Sequence, residues 1–388
     1  MNRFRDLLLS LLVAMVALSS CRKEEEIIPS SRVRVGVPGR PGEIKGFFLL
    51  NEANMGSNKA TLDYYDYTTA FYTRNIYAER NPNVVKELGD VGNDLQIHGS
   101  RLYAVINVSG LIEVMDVRTA KHIGKLSIPN CRYIAFKDGF AYVSSYAGPV
   151  KIDPNARLGY VAKVDTATLK VVAECPVGYQ PEELLIHGDK LYVANSGGYR
   201  APNYDKTISI IDLKTFTEEK QVDVAINLHR LQLDNYGKIW ASSRGDYKDV
   251  PSRLFVFDPK SERVTKTLEV GCSNMALSGD SLFVYSSEWS YLTGKNTISY
   301  TVIDTKKQEV VDRNFIKDGT DKEIQLPYGL AINSEQGELY LTDAQDYVHP
   351  GQLHCYDLKT GRRKWSVKTG DIPAHIAFTT QPLQPLHH

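Results

Sequence analysis

A sequence unit of about 48 residues recurs seven times along this 388-residue chain and constrains its fold more than any other feature. Each unit holds a short apolar run, a tight turn, a Leu-Tyr-Val-like run, a loop, an alternating run that ends in Asp, and a last β-like run. The spacings between successive aspartates are 50, 49, 47, 46, 46 and 53 residues. The aspartates are Asp66, Asp116, Asp165, Asp212, Asp258, Asp304 and Asp357. A fixed period of this length is typical of repeat architectures such as propellers.

The runs within each unit have the length and two-residue period of β-strands, and none has the 3.6-residue period of a helix. This predicts an all-β fold, a seven-bladed β-propeller of four-stranded blades, over residues 45–381. The last opening strand, at 374–378, follows the seventh aspartate, whereas blade one has no opening strand before Gly46. The C-terminal strand is therefore expected to complete blade one, close the ring and remove an open sheet edge.

The aspartate of each unit is followed by x-x-Thr in five copies, and the motif decays to Asp258/Ser261 and Asp304/Lys307 in the other two. A ring of carboxylates would be a functional interpretation of this repeat. However, the residue marks every copy alike, and a short Asp at a strand end accepts backbone N–H groups and fixes a tight turn. We therefore expect a structural role for these aspartates.

The N-terminus has the features of a bacterial export signal. Arg3 and Arg5 precede a mostly apolar run at 7–18, which is too short to span a bilayer. The run ends in Leu-Ser-Ser-Cys, which resembles the lipobox, in which the Cys becomes the first residue and carries acyl chains. Residues 1–20 are predicted to be a lipoprotein signal peptide and Cys21 the lipidation site. A plain secretory signal is the alternative, although it does not require Cys at this position.

Residues 22–26, Arg-Lys-Glu-Glu-Glu, resemble the charged surface-export tag of Bacteroidetes lipoproteins, with a solvated charge run as the alternative. Pro29, Pro38 and Pro41 follow among polar and glycine neighbours. Residues 21–44 are therefore predicted to be the lipidated Cys, the tag and a flexible tether, whose reach is roughly 25 Å for about 20 residues. Residues 382–388 are predicted to be a tail.

Composition excludes several classes of function. With 46 basic and 46 acidic residues, the chain lacks the positive charge that nucleic-acid binding needs. The five Cys form no C-x-x-C pair, and no H-E-x-x-H, G-x-S-x-G or phosphate-loop motif is present. We therefore predict no metal, no cofactor and no enzymatic activity. The 23 Tyr are unusual and favour β-sheet and binding surfaces.

Loop lengths distinguish the two faces of the predicted disc. Turns between first and second strands are short, whereas loops between second and third strands are long and unlike one another, which is typical of a functional face. Tyr, Trp and Arg are typical binding anchors, although some rings in these loops are expected only to pack their own loop. The candidate ligand-binding residues are Tyr146, Tyr199, Arg200, Arg244, Tyr247, Trp289, Tyr291 and Tyr347. Their distribution predicts a site displaced towards blades four to seven.

The ends of the second strands suggest a ring of mostly neutral polar residues at one rim of the channel. The seven equivalent positions are Asn51, Ile106, Ser145, Asn195, Ser243, Ser286 and Asp343. A metal-dependent propeller hydrolase needs several converging carboxylates, and Asp343 has only Glu52 and Glu288 nearby in the pattern.

The run Leu-Tyr-Val-Ala-Asn-Ser-Gly-Gly at 191–198, with Ile-Ile-Asp-x-x-Thr at 210–215, resembles the YVTN-repeat, YncE-like propellers. The resemblance covers roughly residues 46–380 and implies the fold. With the lipobox and the charged tag, the chain resembles Bacteroidetes surface lipoproteins of this class, among which the BtuG-like family caps the TonB-dependent vitamin B12 transporter and binds cobalamin.

The resemblance implies a lipid-anchored protein on the outer face of the outer membrane, with cobalamin as ligand and a TonB-dependent transporter as partner. A wide, neutral face rich in Tyr and Asn suits a broad corrin edged with amides. Three alternatives remain open: a glycan-binding surface lipoprotein, a lyase or lactonase-type propeller enzyme, and a docking subunit without a small ligand.

Overall fold

The computed structural model describes residues 30–84, 87–290 and 295–386. Its regular structure is nearly all β-strand, and the described helices are the short α1 (Ile76–Arg80) and one 3-10 turn at Thr320–Glu323. No helix within these ranges is long and apolar enough to cross a membrane. The predicted signal peptide, residues 1–20, and the predicted lipidation site Cys21 lie outside the described residues.

The described strands form seven antiparallel sheets, which confirms the predicted seven-bladed propeller. Blade one contains β1 (Ser31–Arg34), β2 (Gly46–Asn51), β3 (Thr61–Asp66), β4 (Phe71–Arg74) and the C-terminal β29 (Pro373–Thr379). Blade two contains β5 (Gly92–His98), β6 (Arg101–Ile106), β7 (Leu111–Asp116) and β8 (His122–Ser127). Blade three contains β9 (Cys131–Lys137), β10 (Phe140–Ser145), β11 (Tyr160–Asp165) and β12 (Lys170–Pro176). Blade four contains β13 (Pro181–His187), β14 (Lys190–Asn195), β15 (Thr207–Asp212) and β16 (Thr217–Asp223).

The remaining blades follow the same order. Blade five contains β17 (Leu228–Leu233), β18 (Ile239–Ser243), β19 (Arg253–Asp258) and β20 (Arg263–Leu268). Blade six contains β21 (Asn274–Ser278), β22 (Ser281–Ser290), β23 (Lys295–Asp304) and β24 (Glu309–Asp312). Blade seven contains β25 (Pro327–Asn333), β26 (Glu338–Asp343), β27 (Pro350–Asp357) and β28 (Arg363–Asp371). The first strands, β5, β9, β13, β17, β21, β25 and β29, contact one another in turn around a central channel.

The repeated aspartates have the predicted structural role. In the five intact copies the Thr donates to the Asp three residues earlier, through its hydroxyl at Asp66 (2.7 Å) and through its backbone N–H in the other four. Each Asp thus holds the turn between the third and fourth strands of its blade. These carboxylates lie at the ends of strands in separate blades and form no shared site.

Pairing of β29 with β2 closes the ring, as the sequence predicts. The two strands are antiparallel over Gly46–Asn51, with Phe47 opposite Phe378 and Leu49 opposite Ile376. The junction with blade seven is also tied by the hydroxyls of Tyr67 and Tyr340, which are 2.7 Å apart. First and last segments of the chain therefore share one sheet, and blade one has no open inner edge.

Part of the segment predicted to be a tether is instead structured. β1 pairs with β4 as a fifth, outermost strand of blade one, and Arg32 stacks 3.9 Å over the ring of Phe71. Further along, the backbone N–H of Arg40 donates to Gln336 at 2.9 Å. The tether prediction relied on Pro and polar content, but an open sheet edge can pair even with an exposed, polar strand. The predicted tail is also partly packed, since Leu383 contacts the core of blades one and two.

The hydrophobic core is divided among the junctions between blades. Seven buried clusters each join two neighbouring blades, including the junction between blades seven and one. In that last junction Phe47 packs against Tyr340 with ring centroids 4.8 Å apart. Each blade therefore buries both of its faces, and removing one blade strand exposes apolar surface on two sides.

We predict that deleting residues 371–388 prevents cooperative folding. The deletion removes β29, opens one edge of β2 and exposes the apolar clusters on both sides of blade one. Deleting only residues 385–388 is the matched control, because it keeps β29 and Leu383. Circular dichroism during a thermal ramp measures the result. Equal melting of both truncated proteins would contradict the closure argument.

Candidate functional site

A β-bulge recurs near the start of the innermost strand in six blades, with one extra residue relative to the second strand. The backbone N–H of Tyr133 donates to Ser144 Oγ at 3.1 Å, and that of Arg230 to Ser242 Oγ at 2.9 Å. Bulges change the direction in which side chains point. Here they turn consecutive polar residues towards the end of the channel that carries the long loops.

We call this end of the channel the channel mouth. The polar side chains considered next come from blades one to five and from blade seven. They are Glu52 and His375 in blade one, Asp94 in blade two, Arg132 and Tyr133 in blade three, Glu182 and Glu183 in blade four, His229, Arg230 and Arg244 in blade five, and Tyr328 in blade seven. Several hydrogen bonds among them join different blades.

Glu182 is the centre of one charged group at the channel mouth. Its side chain is 1% exposed. It accepts hydrogen bonds from Arg132 Nε (3.1 Å) and Nη2 (2.9 Å), from Arg244 Nη1 (3.1 Å) and from the hydroxyl of Tyr146. Burial alone would raise the pKa of Glu182, but the two guanidinium groups outweigh it and lower that pKa. Glu182 is therefore an ionised carboxylate held between two cations.

A second group lies at blades one, two and seven. Glu52 accepts a hydrogen bond from the Tyr328 hydroxyl at 2.7 Å, and its other oxygen is 3.1 Å from His375 Nε2. His375 Nδ1 is 4.0 Å from Asp94, which also accepts the backbone N–H of Ile134 at 3.0 Å. The channel mouth thus contains linked acids and bases, in contrast to the neutral ring predicted from the second strands.

The predicted neutral ring does not line the channel. All of its members are buried within their own blades. Asn195 donates to Thr207 (3.0 Å) and Ser209 (2.8 Å), and the hydroxyl of Ser243 donates to the carbonyl of Ile226 at 2.6 Å. The prediction failed because the second strand lies one position away from the channel, which the first strands line instead.

A cleft of about 800 Å³ lies on the long-loop face beside the channel mouth. The loop that follows β10 forms one wall, and the connections around Asn107 and Asn130 form another. Apolar groups and neutral amides dominate its lining, with Lys151, Asp153 and Arg157 as its charged residues. Asn130 itself holds the loop by donating to the carbonyl of Gly148 at 2.6 Å. The cleft is therefore a largely neutral concave surface with buried amide supports.

Two of the eight predicted binding residues contact Glu182, and a third lies beside them. Tyr146 is 3% exposed and lines the cleft, while its hydroxyl bonds to Glu182. Arg244 binds the same carboxylate from blade five. Tyr199 lies next to Tyr146, with ring centroids 6.2 Å apart, and is 37% exposed. The cleft and the channel mouth therefore share Tyr146 as a common wall.

The other predicted residues are not gathered in one place. Arg200 stacks 3.5 Å over the ring of Tyr179, so it packs against the connection between β12 and β13. Tyr347 packs edge-on against Tyr328 at 6.0 Å and is partly exposed. Tyr247 and Trp289 are both more than half exposed. Trp289 stands on the long hairpin of β22 and β23 rather than in a loop, and Tyr291 lies outside the described residues.

The sequence analysis did not identify the pairs of consecutive polar residues at the starts of the inner strands. Arg132–Tyr133, Glu182–Glu183 and His229–Arg230 occupy the same position in blades three, four and five. Two consecutive polar residues at the start of an otherwise apolar strand break its two-residue period. That break is the signal of the bulge, and aligning the repeats on their first strands would have found it.

The four described cysteines, Cys131, Cys175, Cys272 and Cys355, are unpaired and buried. Burial raises the pKa of Cys131 to about 12, so its reactive thiolate form is disfavoured. Within the described ranges, no group of three or more His, Cys, Asp or Glu side chains is arranged to hold a metal ion.

Comparison with known proteins assigns the chain to a family. Residues 45–379 match the family described as "Domain of unknown function (DUF5074)". The chain belongs to the DUF5074 family. No curated protein matches the sequence. The match extends from just before β2 to the end of β29 and so includes strands of all seven blades.

Three solved structures similar to this DUF5074 protein support the fold alone, since their identities are 11–19%. Hydrazine synthase of Kuenenia stuttgartiensis has a TM-score of 0.57 at 19% identity, over 69% of this chain and 77% of that one. Apo AztD from Citrobacter koseri has a TM-score of 0.52 at 11% identity, over 86% and 97%. The WD40 domain of Neurospora crassa Pan2 has a TM-score of 0.50 at 13% identity, over 75% and 80%.

We predict that Glu182→Gln destabilises the protein strongly. The substitution leaves Arg132 and Arg244 without their shared buried carboxylate, and breaking a buried ion pair costs about 3–5 kcal/mol. Glu269→Gln is the matched control, because Glu269 is 71% exposed and pairs with Arg253 at the surface. That change should cost less than about 1 kcal/mol. Urea titration measures both, and equal losses would show that removing the charge of Glu182 leaves no uncompensated buried cation.

Proposed function

We propose that this DUF5074 protein is an outer-membrane surface lipoprotein that binds cobalamin on its long-loop face and passes it to a TonB-dependent transporter. The observation that carries the proposal is the cleft of about 800 Å³ lined by neutral amides and apolar groups. Ligand sites are typically concave, mostly apolar and provided with a few placed polar groups. A corrin ring edged with amides matches that chemistry, because amides can pair with the side chains of Asn107, Asn155 and Gln180.

The position of the cleft refines where the ligand would bind. Blades one to four border it, whereas most of the aromatic residues predicted as anchors lie in blades four to seven. Tyr199 continues the surface from Tyr146 towards blade four. We infer that one edge of the ligand enters the cleft and that its body extends over Tyr199, while Tyr247 and Trp289 remain outside the contact.

Binding without catalysis fits the environment of the acids at the channel mouth. Glu182 is paired with two arginines, and Glu52 is bonded to Tyr328 and His375. The lowered pKa of Glu182 makes this carboxylate a poor general base, because its charged form is stabilised. We therefore propose that the protein binds its ligand without converting it. A lyase or lactonase-type enzyme is the alternative, and measured turnover would support it.

Glycan binding is the second candidate, and a specific observation favours it. Tyr247 and Trp289 present rings that are 57% and 54% exposed on the long-loop side. Exposed aromatic rings are typical platforms for apolar sugar faces. On this alternative the exposed rings of blades five and six would carry the binding, and the cleft would not.

Titration calorimetry with cyanocobalamin separates these possibilities. We expect Met55→Ala and Asn155→Ala, in the cleft, to weaken binding together with Tyr199→Ala, whereas Tyr247→Ala and Trp289→Ala leave it unchanged. A central anchor costs at least about 2 kcal/mol, or about thirtyfold in affinity.

The control for the opposite face is Lys190→Ala, whose side chain pairs with Glu219 near a short turn. If only Lys190→Ala lost affinity, cobalamin would bind to the short-turn face instead of the long-loop face. Absence of any binding heat in the wild type would reject cobalamin, and glycan binding that depends on Tyr247 and Trp289 would support the second candidate.

The proposed anchor would hold blade one close to the membrane. Residues 22–30 separate Cys21 from β1, and nine extended residues span at most about 30 Å. The short-turn and long-loop faces would then both lie within reach of a membrane transporter, with the outer edge of blade one nearest to the lipid.

We predict that Cys21→Ala releases the protein from the membrane, because stable anchoring requires the acyl chains. Replacing Lys23–Glu26 with Ala should keep the protein lipidated but retain it on the periplasmic side. Detergent partition reads out the first change, and protease treatment of whole cells reads out the second. Equal protease access in the wild type and in the protein with Ala at residues 23–26 would reject the export tag.

A further inference from the structure

Two neighbouring residues of the channel mouth have polar atoms without partners. His229 is 7% exposed, and its Nδ1 makes no hydrogen bond within the described residues. Arg230 Nε is likewise buried without an acceptor there. The carboxylate nearest to Arg230, that of Glu183, is 3.8 Å from Nη1, which is beyond hydrogen-bond distance. Buried polar groups of natural proteins are nearly always bonded, and each exception calls for an explanation such as a functional role or a bound water or ion.

Both residues project into the channel. They form the bulge of β17, which allows two consecutive side chains to turn towards the same side. Tyr133 of blade three reaches both of them, with its hydroxyl 3.0 Å from His229 Nε2 and its ring 5.2 Å from the Arg230 guanidinium. Blades three and five are not neighbours in the ring, so these contacts cross the channel.

The surroundings of His229 are rich in positive charge. Burial is the largest cause that lowers the pKa of its imidazole, and Arg244, Arg230 and Arg132 lower it further. Glu182 is shared by two of these arginines, whereas Arg230 faces Glu183, whose pKa is raised by burial. A neutral imidazole therefore lies among three cations, and burial disfavours the charged form of the carboxylate that faces Arg230.

We propose that the channel mouth binds a small oxyanion, a carboxylate or phosphate group, between His229 and Arg230. Arg230 offers a forked set of N–H donors that matches two oxygens of such a group. His229 donates from Nδ1 when its Nε2 accepts the hydroxyl proton of Tyr133. Arg132 and Arg244 share the single carboxylate of Glu182, which leaves one positive charge in excess beside His229, and Arg230 faces the carboxylate of Glu183. This local excess favours a small anion over a cation at this position.

The site is reachable from the long-loop face and is distinct from the cleft. The side chains of Arg230 and Arg244 keep 14% and 26% of their surface exposed. Neither His229 nor Arg230 lines the cleft. The oxyanion site thus goes beyond the proposed cobalamin function, and it can be tested without cobalamin.

The experiment measures the melting temperature and binding heat of the full chain with sodium phosphate and, separately, sodium acetate. Sodium chloride at equal ionic strength is the reference. We expect a saturable rise of Tm with at least one of the two oxyanions, because a ligand that binds only the folded state stabilises it. Comparing the two anions identifies whether the site prefers phosphate or carboxylate.

Arg230→Gln should reduce the affinity about ten- to hundredfold, because hydrogen bonds to charged groups contribute about 1.5–3 kcal/mol. The matched control is Arg253→Gln, at a surface ion pair, which should bind as the wild type does. His229→Gln provides a second variant in case Arg230→Gln fails to fold. The imidazole nitrogen resonances of His229 in the wild type should also shift during the titration.

Three outcomes would overturn the proposal. One is a Tm in phosphate and acetate equal to that in chloride. Another is an unchanged affinity in both Arg230→Gln and His229→Gln. The last is binding without any shift of the His229 resonances, which would place the anion elsewhere. None of these outcomes depends on whether the protein binds cobalamin, so the two proposals fail separately.

Discussion

The pairing of β2 with β29 is the constraint on which the rest of the structure depends. Each blade buries both faces against its neighbours, so a missing contact at one junction leaves two blades with exposed apolar surface. The junction of blades seven and one contains an aromatic cluster, in which Phe47 contacts the rings of Tyr65, Tyr67 and Tyr340. The C-terminal strand β29 must pair with β2, far away in the sequence. This closure of the ring fixes the positions of all seven inner strands around the channel.

Closure also explains how the channel mouth can hold so many charges. Inner strands from seven blades converge there, and the recurrent bulge turns two polar residues per strand towards the axis in blades three, four and five. A buried ion pair contributes little net stability, because desolvation offsets its attraction. The rigid ring therefore supports Glu182 and its arginines rather than depending on them, and the stability of the inter-blade cores allows a polar centre to persist.

The repeat period predicted the blades, their strand order and the C-terminal closure, because these follow from local periodicity and from one missing strand. The fifth strand β1 escaped prediction, since its exposed, polar sequence carries no burial pattern and it forms only because β4 offers an open edge. The charged channel mouth also escaped, because residues 50 or more apart in sequence, such as Arg132 and Glu182, meet only after the ring is closed. Tyr146 was predicted to be a binding residue, but it is buried and bonded to Glu182, so it also has a structural role.

Tyr146 places two chemically different surfaces side by side. Its ring borders the neutral cleft, while its hydroxyl is bonded to the carboxylate that holds Arg132 and Arg244. The ring position is therefore fixed by a charge network that no cleft ligand needs to touch. The charged side stays at the convergence of the inner strands, where burial strengthens electrostatic interactions. The largely neutral side is built from the longer loop of blade three, where a broad ligand can contact amides without displacing the ion pairs of Glu182.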